Sequence, residues 1–243
     1  MRRPGQKRRF VVGLAAFFFS IFSILLLAGL FLAWPGSPVP DAWNPFRPFR
    51  LSDEVTPFTG WKLDRAANDL PSCLAALEGQ GVERMEDWEF NENCHIRNRV
   101  KIRTIGNASL APVETRCTIA LRMAGWEKHS IQPLAEQILG SRVKKIDHFS
   151  SYSCREIRTP EGSFGQMSKH ATADAIDIAG FHLDDGRHVT LLEGWQGSRA
   201  EQAFLESVRD GACDWFKTTL GPDYNEFHAD HFHLQSRGWG TCR

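Results

Sequence analysis

Two histidine-bearing segments near the end of the chain have the residue types and spacing of a metal site. One is Ser168-Lys-His-Ala-Thr-Ala-Asp-Ala-Ile-Asp-Ile178, which carries His170 and Asp177, and the other is His228-Ala-Asp-His-Phe-His233. Two imidazoles and one carboxylate form a borderline-soft donor set that suits Zn²⁺. Three protein ligands leave the fourth position of a tetrahedral ion open, which is the ligand count of a catalytic zinc site. Asp230 adds a second carboxylate close enough to take a proton from water. On residue chemistry the chain reads first as a zinc hydrolase.

These side chains need strands and a loop to bring them together. In a strand His231 and His233 share one face while Phe232 packs behind. Asp177, set between Ile176 and Ile178, must face a cleft or be paired, because an isolated buried carboxylate is costly. A loop from His170 that folds back over this strand lets the two side chains meet. Ala175–Ile178, His188–Leu192 and a last strand His231–Gln235 are the strand candidates here, and Val143–Tyr152 reads as a further one. Upstream, Arg99–Arg103 alternates as a half-buried strand. Thr115–Leu139 has helical spacing and is expected to kink or divide at Pro133 and stop at Gly140. Asp69 caps a short helix, and Ser198 with Glu201 forms a capping box for a longer one that carries Phe204, Leu205, Val208 and Trp215 on one face. Helices and short strands mixed without βαβ alternation imply an α+β fold.

The chain has 243 residues with 29 basic and 29 acidic side chains, but the charges are unevenly placed. Arg2, Arg3, Lys7, Arg8 and Arg9 precede the first acid, Asp41, and the remainder is mildly acidic. No basic patch dominates it, which argues against a nucleic-acid partner. Phe10–Trp34 is nearly unbroken apolar sequence, long enough for a helix to cross a hydrocarbon core of about 30 Å. Its basic flank favours a cytoplasmic N-terminus. A cleaved signal peptide is the alternative, but its apolar region is usually about 7–15 residues, and no small-x-small cleavage site precedes Pro35. The expected organisation is a basic tail at 1–9, an anchor at 10–34, a proline-rich spacer at 35–60 and an exported domain at 61–243, with its core at about 141–243. The six cysteines, an even number, agree with an oxidising compartment, and spacing leaves about 15 pairings open.

Beyond these features, Cys154-Arg155, Ser-Lys-His-Ala, Ala-Ile-Asp-Ile-Ala-Gly-Phe181, Gly211-Ala-Cys213, Leu220-Gly-Pro222 and His-Ala-Asp-His-Phe-His resemble the bacterial extensin-like C-terminal domain proteins, from about Ser72 onward. The Ser-x-His…Asp…Asp-His-x-His arrangement also resembles the zinc peptidases related to lysostaphin, the D-Ala-D-Ala carboxypeptidases and dipeptidases, and the amino-terminal domain of hedgehog proteins. This second resemblance implies a small antiparallel sheet with flanking helices. It makes His170, Asp177 and His233 the zinc ligands, Asp230 the general base and His231 a support for the oxyanion or the water. It gives Arg155 and Ser168 to substrate binding, with Arg155 pairing with a peptide carboxylate. Ala173 replaces the glycine usual three residues after the first histidine, and Asp230 needs a bend ahead of the last strand to face the site.

Together these features imply a single-pass inner-membrane protein with a periplasmic zinc peptidase domain that acts on peptidoglycan stem peptides. Two rivals remain: a zinc-binding envelope module without catalysis, which binds peptidoglycan or a protein partner, and a metal-free polar network in a structural protein. Glu226 and His228 stand as alternative bases or supporting groups. His129, His148, His182 and His188 read as ordinary polar positions.

Overall fold

The computed structural model describes residues 4–157, 162 and 165–243, so Met1, Arg2 and Arg3 lie outside the described residues. Pro4–Ala33 forms helix α1. Within it Val12–Ala33 is long and apolar enough to cross a membrane, with mean hydropathy 2.5 and none of its span buried in the protein. The segment expected as a spacer is only partly extended from the domain. Phe49 and Leu51 join the hydrophobic core and Asn44 is buried. Thr56 Oγ1 donates to the Ala42 carbonyl, and Lys62 Nζ to the Asp41 carbonyl. Packing therefore begins ahead of Trp61, since apolar side chains between the prolines find a surface to cover.

Helices α2 (Thr59–Ala67) and α3 (Leu70–Ala76) follow, the second capped by Asp69, whose carboxylate accepts the Ser72 amide. Strands β1 (Val82–Arg84), β2 (Trp88–Asn91), β3 (Cys94–Ile96), β4 (Arg99–Ile105) and β5 (Ala108–Arg116) come next. A continuous helical rod then starts at Cys117, two residues later than the periodicity implied, because β5 runs through Arg116. The rod comprises α4 (Cys117–Trp126), a π-helical turn, α5 (Gln132–Leu134) and a second π-helical turn, and it ends at left-handed Gly140. Pro133 has no N–H to donate, and the widened turns around it absorb the disruption that the sequence suggested would be a kink.

Beyond the rod come β6 (Val143–His148), β7 (Ala175–Leu183), β8 (His188–Thr190), α6 (Leu191–Gly194), α7 (Arg199–Trp215), β9 (Thr218–Leu220), β10 (Phe232–Gln235) and β11 (Thr241–Cys242). The described residues form a nine-stranded sheet, ordered β1-β4-β5-β6-β7-β10-β9-β11 with β8 on β7, and a separate β2–β3 pair. This corrects the expected small antiparallel sheet. The sheet is larger and mixed, with β5–β6 and β9–β11 parallel. The helical rod between β5 and β6 is the long crossover that a parallel neighbour requires. The strand at His231–Gln235 is not the last, since β11 follows it.

The capping box of α7 is formed as expected. Its apolar face lies on the sheet, where Phe204 meets Phe181 edge-on at 5.3 Å and Phe181 meets Trp126 at 6.2 Å. Three disulfides close the domain: Cys73–Cys117, Cys94–Cys154 and Cys213–Cys242. The second fixes the chain immediately before Arg155, and the third ties α7 to β11.

Candidate metal centre

Alternation along two neighbouring strands builds the centre. In β7, Ile176 and Ile178 enter the core. In β10, Phe232 and Leu234 do the same. The residues between them, Asp177 and His233, therefore share the opposite face, and the antiparallel register sets them directly across from each other. His233 Nδ1 lies 2.8 Å from Asp177 Oδ1.

His170 reaches the same point from a 3₁₀ turn, Lys169–Thr172. Its Nε2 is 3.1 Å from Asp177 Oδ2 and 3.1 Å from His233 Nδ1. The turn begins at Ser168, whose hydroxyl accepts the His170 amide, and ends at Ala173, which holds φ 49°. A left-handed alanine is strained where glycine is not. Asp174, just beyond, is buried and clamps the turn. It accepts two bonds of 2.8 Å from Arg116 Nη1, one of 2.8 Å from Thr172 and one of 3.0 Å from Ser236, with Arg237 at 3.1 Å.

The donor set fits a metal dication. His170 Nδ1 lies 3.0 Å from the Ser151 carbonyl, which only an N–H can satisfy. In the neutral ring that leaves an Nε2 lone pair facing a carboxylate, a contact that either a bound cation or a proton on Nε2 satisfies. One donor atom from each of the three residues lies within 4.8 Å of the others. Gln235, whose amide lies 2.7 Å from His233 Nε2, orients the second imidazole. Burial acts to raise the Asp177 pKa, but hydrogen bonds from His170 and His233 outweigh it and hold the carboxyl well below its usual range. Burial lowers the His233 pKa despite the pull of Asp177. Both shifts keep the groups in their ligating forms.

Asp230 sits in a turn before β10. Its Oδ1 is 2.8 Å from His231 Nδ1, and His231 Nε2 points toward the centre, 3.6 Å from Asp177 Oδ1. His228 packs beside His231 and His233, at ring distances of 5.2 and 5.8 Å. Burial, then the neighbouring His231 and His233, push its pKa down to about 4, so it is neutral at pH 7. Glu226 is exposed.

The two residues expected to bind substrate have different places. Ser168 is buried and its hydroxyl is engaged as the cap of the His170 turn. Arg155 is tied to that turn through its backbone carbonyl, which accepts the Ser168 amide, and its guanidinium donates to the Glu156 carbonyl. Residues that the sequence reading missed are Ser151 and Gln235, which contact His170 and His233, and Asp174, which holds the turn that carries His170. Of the ordinary histidines, His129 stacks on Trp215 and His148 bonds the Ala111 carbonyl.

A family model described as "Extensin-like protein C-terminus" matches residues 71–243. No curated protein and no solved structure matches the chain.

Proposed function

The chain belongs to the extensin-like C-terminal family, and from that premise and the geometry of the centre we propose that it is a membrane-anchored zinc metallopeptidase. Its proposed substrates are peptidoglycan stem peptides or related cell-wall peptides. The observation that carries this reading is the convergence of His170 Nε2, Asp177 and His233 Nδ1 on one point, beside a second carboxylate-imidazole pair. When bound there, Zn²⁺ supplies a Lewis acid that polarises a scissile carbonyl and acidifies water.

The chain's own residues then divide the remaining work. Asp230 accepts the proton of the attacking water and returns it to the leaving amine. His231 holds one Asp230 oxygen through Nδ1–H and turns Nε2 toward the reacting groups, where the doubly protonated ring would steady developing negative charge. Neutral His228 adds no competing positive charge beside them. Arg155, anchored next to Ser168 through its backbone, is the proposed partner of a substrate carboxylate.

Membrane anchoring is supported by α1, and export by the three disulfides, which persist in oxidising compartments. With the basic flank inside, the domain is proposed to lie in the periplasm, tethered to the inner membrane. The test is incubation of the detergent-solubilised, zinc-replete chain with defined muropeptides, read by mass spectrometry. A product shortened at a peptide bond, and absent after chelation, is expected. Zinc binding without any cleavage makes the non-catalytic peptidoglycan-binding module the better reading.

A further inference from the structure

Asp147 of β6, His182 of β7 and His188 of β8 form a second convergence of ligand-type atoms. Strand pairing sets His182 opposite His188, and Asp147 opposite Gly180. Asp147 Oδ2 lies 2.7 Å from His182 Nε2 and 2.9 Å from His188 Nε2. The two rings stack at 3.8 Å, only 4° from parallel. The other carboxylate oxygen is held by Lys145 Nζ at 2.7 Å.

We infer that this cluster is a second site for a divalent transition-metal ion of the zinc class, separate from the His170 centre. A near-parallel face-to-face stack is not the arrangement that ring quadrupoles favour. Without a metal, Oδ2 alone must take an Nε2–H from each of two rings packed face to face at 3.8 Å. One dication shared by two neutral Nε2 atoms and Oδ2 explains why both rings present the same edge to the same oxygen. Two imidazoles and a carboxylate are again a zinc-type set.

The position is built by an irregularity in β7. Pairing with β6 passes from Ile178↔His148 to Gly180↔Asp147 and skips Ala179. Ile178 and Phe181, three apart, both enter the core. Without this bulge, His182 and Asp177, five residues apart, would face opposite sides of the sheet. Both are instead on the side away from the core. Asp147 and His188 line a groove of about 560 Å³ that also includes Ala179, Thr190 and Asp230. The second site thus opens onto a groove that Asp230 also lines. Its side chains are more exposed and its carboxylate already bears a lysine, so it should bind more weakly and load second.

The test needs no catalytic activity and does not depend on the peptidase reading. The full chain is purified in detergent by a tag without histidines, stripped with chelator and titrated with Zn²⁺ by calorimetry, with elemental analysis of the loaded protein. About two ions per chain are expected, in a tighter and a weaker event. His188→Ala and Asp147→Asn should each remove only the weaker event, and His233→Ala only the tighter one. Circular dichroism confirms that each variant is folded, and His188 lies on a partly exposed edge where truncation is tolerated. A single event in the wild type that His188→Ala leaves unchanged overturns the second site. A weaker event that survives in folded His188→Ala and Asp147→Asn does the same. A single event abolished by His188→Ala but not by His233→Ala upholds the second site and removes the first.

Discussion

His233 stands directly across from Asp177 in the β7–β10 pair, 2.8 Å from Nδ1 to Oδ1, although 56 residues separate them in sequence. The register that joins them also buries Phe232 and Leu234 against the core. A one-residue slip would turn both histidines of His231-Phe-His233 inward, so the site and the core specify one register together.

From this follows the expectation for the metal. His233→Ala removes one of three protein ligands and should abolish tight zinc binding, as measured by elemental analysis after dialysis. His182→Ala should leave that binding in place. Retention of the tight ion in folded His233→Ala would show that this convergence is a hydrogen-bonded network and not a metal centre.

The Asp174 clamp predicts a second effect. Asp174→Ala leaves Arg116 without its buried partner and frees the turn that carries His170. Removing one member of a buried ion pair costs about 3–5 kcal/mol, and loosening a supported ligand typically lowers metal affinity about 10–100-fold. Thermal unfolding and a competitive zinc-chelator titration measure the two effects. A loss of stability with unchanged zinc affinity would assign Asp174 to the fold alone.

The candidate ligands Asp177 and His233 stood out in sequence because their surroundings are unusual: a charge between two isoleucines, and histidines alternating with Phe232. The groups that orient them did not. Ser151 acts through a backbone carbonyl, and Gln235 and Asp174 are polar residues whose meaning depends on which strand or turn lies beside them. The pairing of His182 with Asp147 was hidden by the bulge at Ala179, since plain alternation from Asp177 puts His182 on the wrong face. The parallel β5–β6 pair was likewise hidden, because neither strand's own pattern records the direction of its neighbour. The α+β class, the α7 capping box and the apolar α1 rest on local chemistry, and these were readable.

Glu127 gives a pH prediction away from the site. It is buried in the helical rod, where Oε1 accepts from Gln132 and the Asn107 amide while Oε2 has no hydrogen-bond partner among the described residues. Burial raises its pKa above the ordinary 4.5, and those hydrogen bonds only partly oppose it. The folded chain therefore holds this proton to higher pH than the unfolded chain, so stability from this group is lost as pH rises above 4.5. Glu127→Gln should gain stability over the wild type increasingly with pH across that window. Urea unfolding at several pH values measures the difference. A constant difference would mean that Glu127 titrates normally.

Topology is checked in cells. A reporter that functions only in the periplasm, fused after Arg243, should be active, and a strictly cytoplasmic one should not. Activity of the cytoplasmic reporter would reverse the orientation. Cys73–Cys117, which spans 44 residues, adds a biochemical readout. Loss of such a disulfide typically costs about 2–5 kcal/mol, so reductant should lower the unfolding temperature.

Asp230→Asn is the most direct probe of chemistry. Asp230 is not needed as a ligand, since His170, Asp177 and His233 already supply three, and its side chain is 46% exposed at the edge of the centre. The amide keeps the size of the carboxylate and can still accept from His231, so fold and zinc content should survive. What is lost is the capacity to take a proton at neutral pH. Removing a general base costs about 10²–10⁴-fold in rate, and muropeptide hydrolysis should fall by that order with zinc retained. Full activity in a zinc-loaded Asp230→Asn would move the role to His231, whose Nε2 faces the centre at 3.6 Å from Asp177. His231→Gln then decides between them: loss of hydrolysis with zinc retained in that variant alone assigns the role to His231.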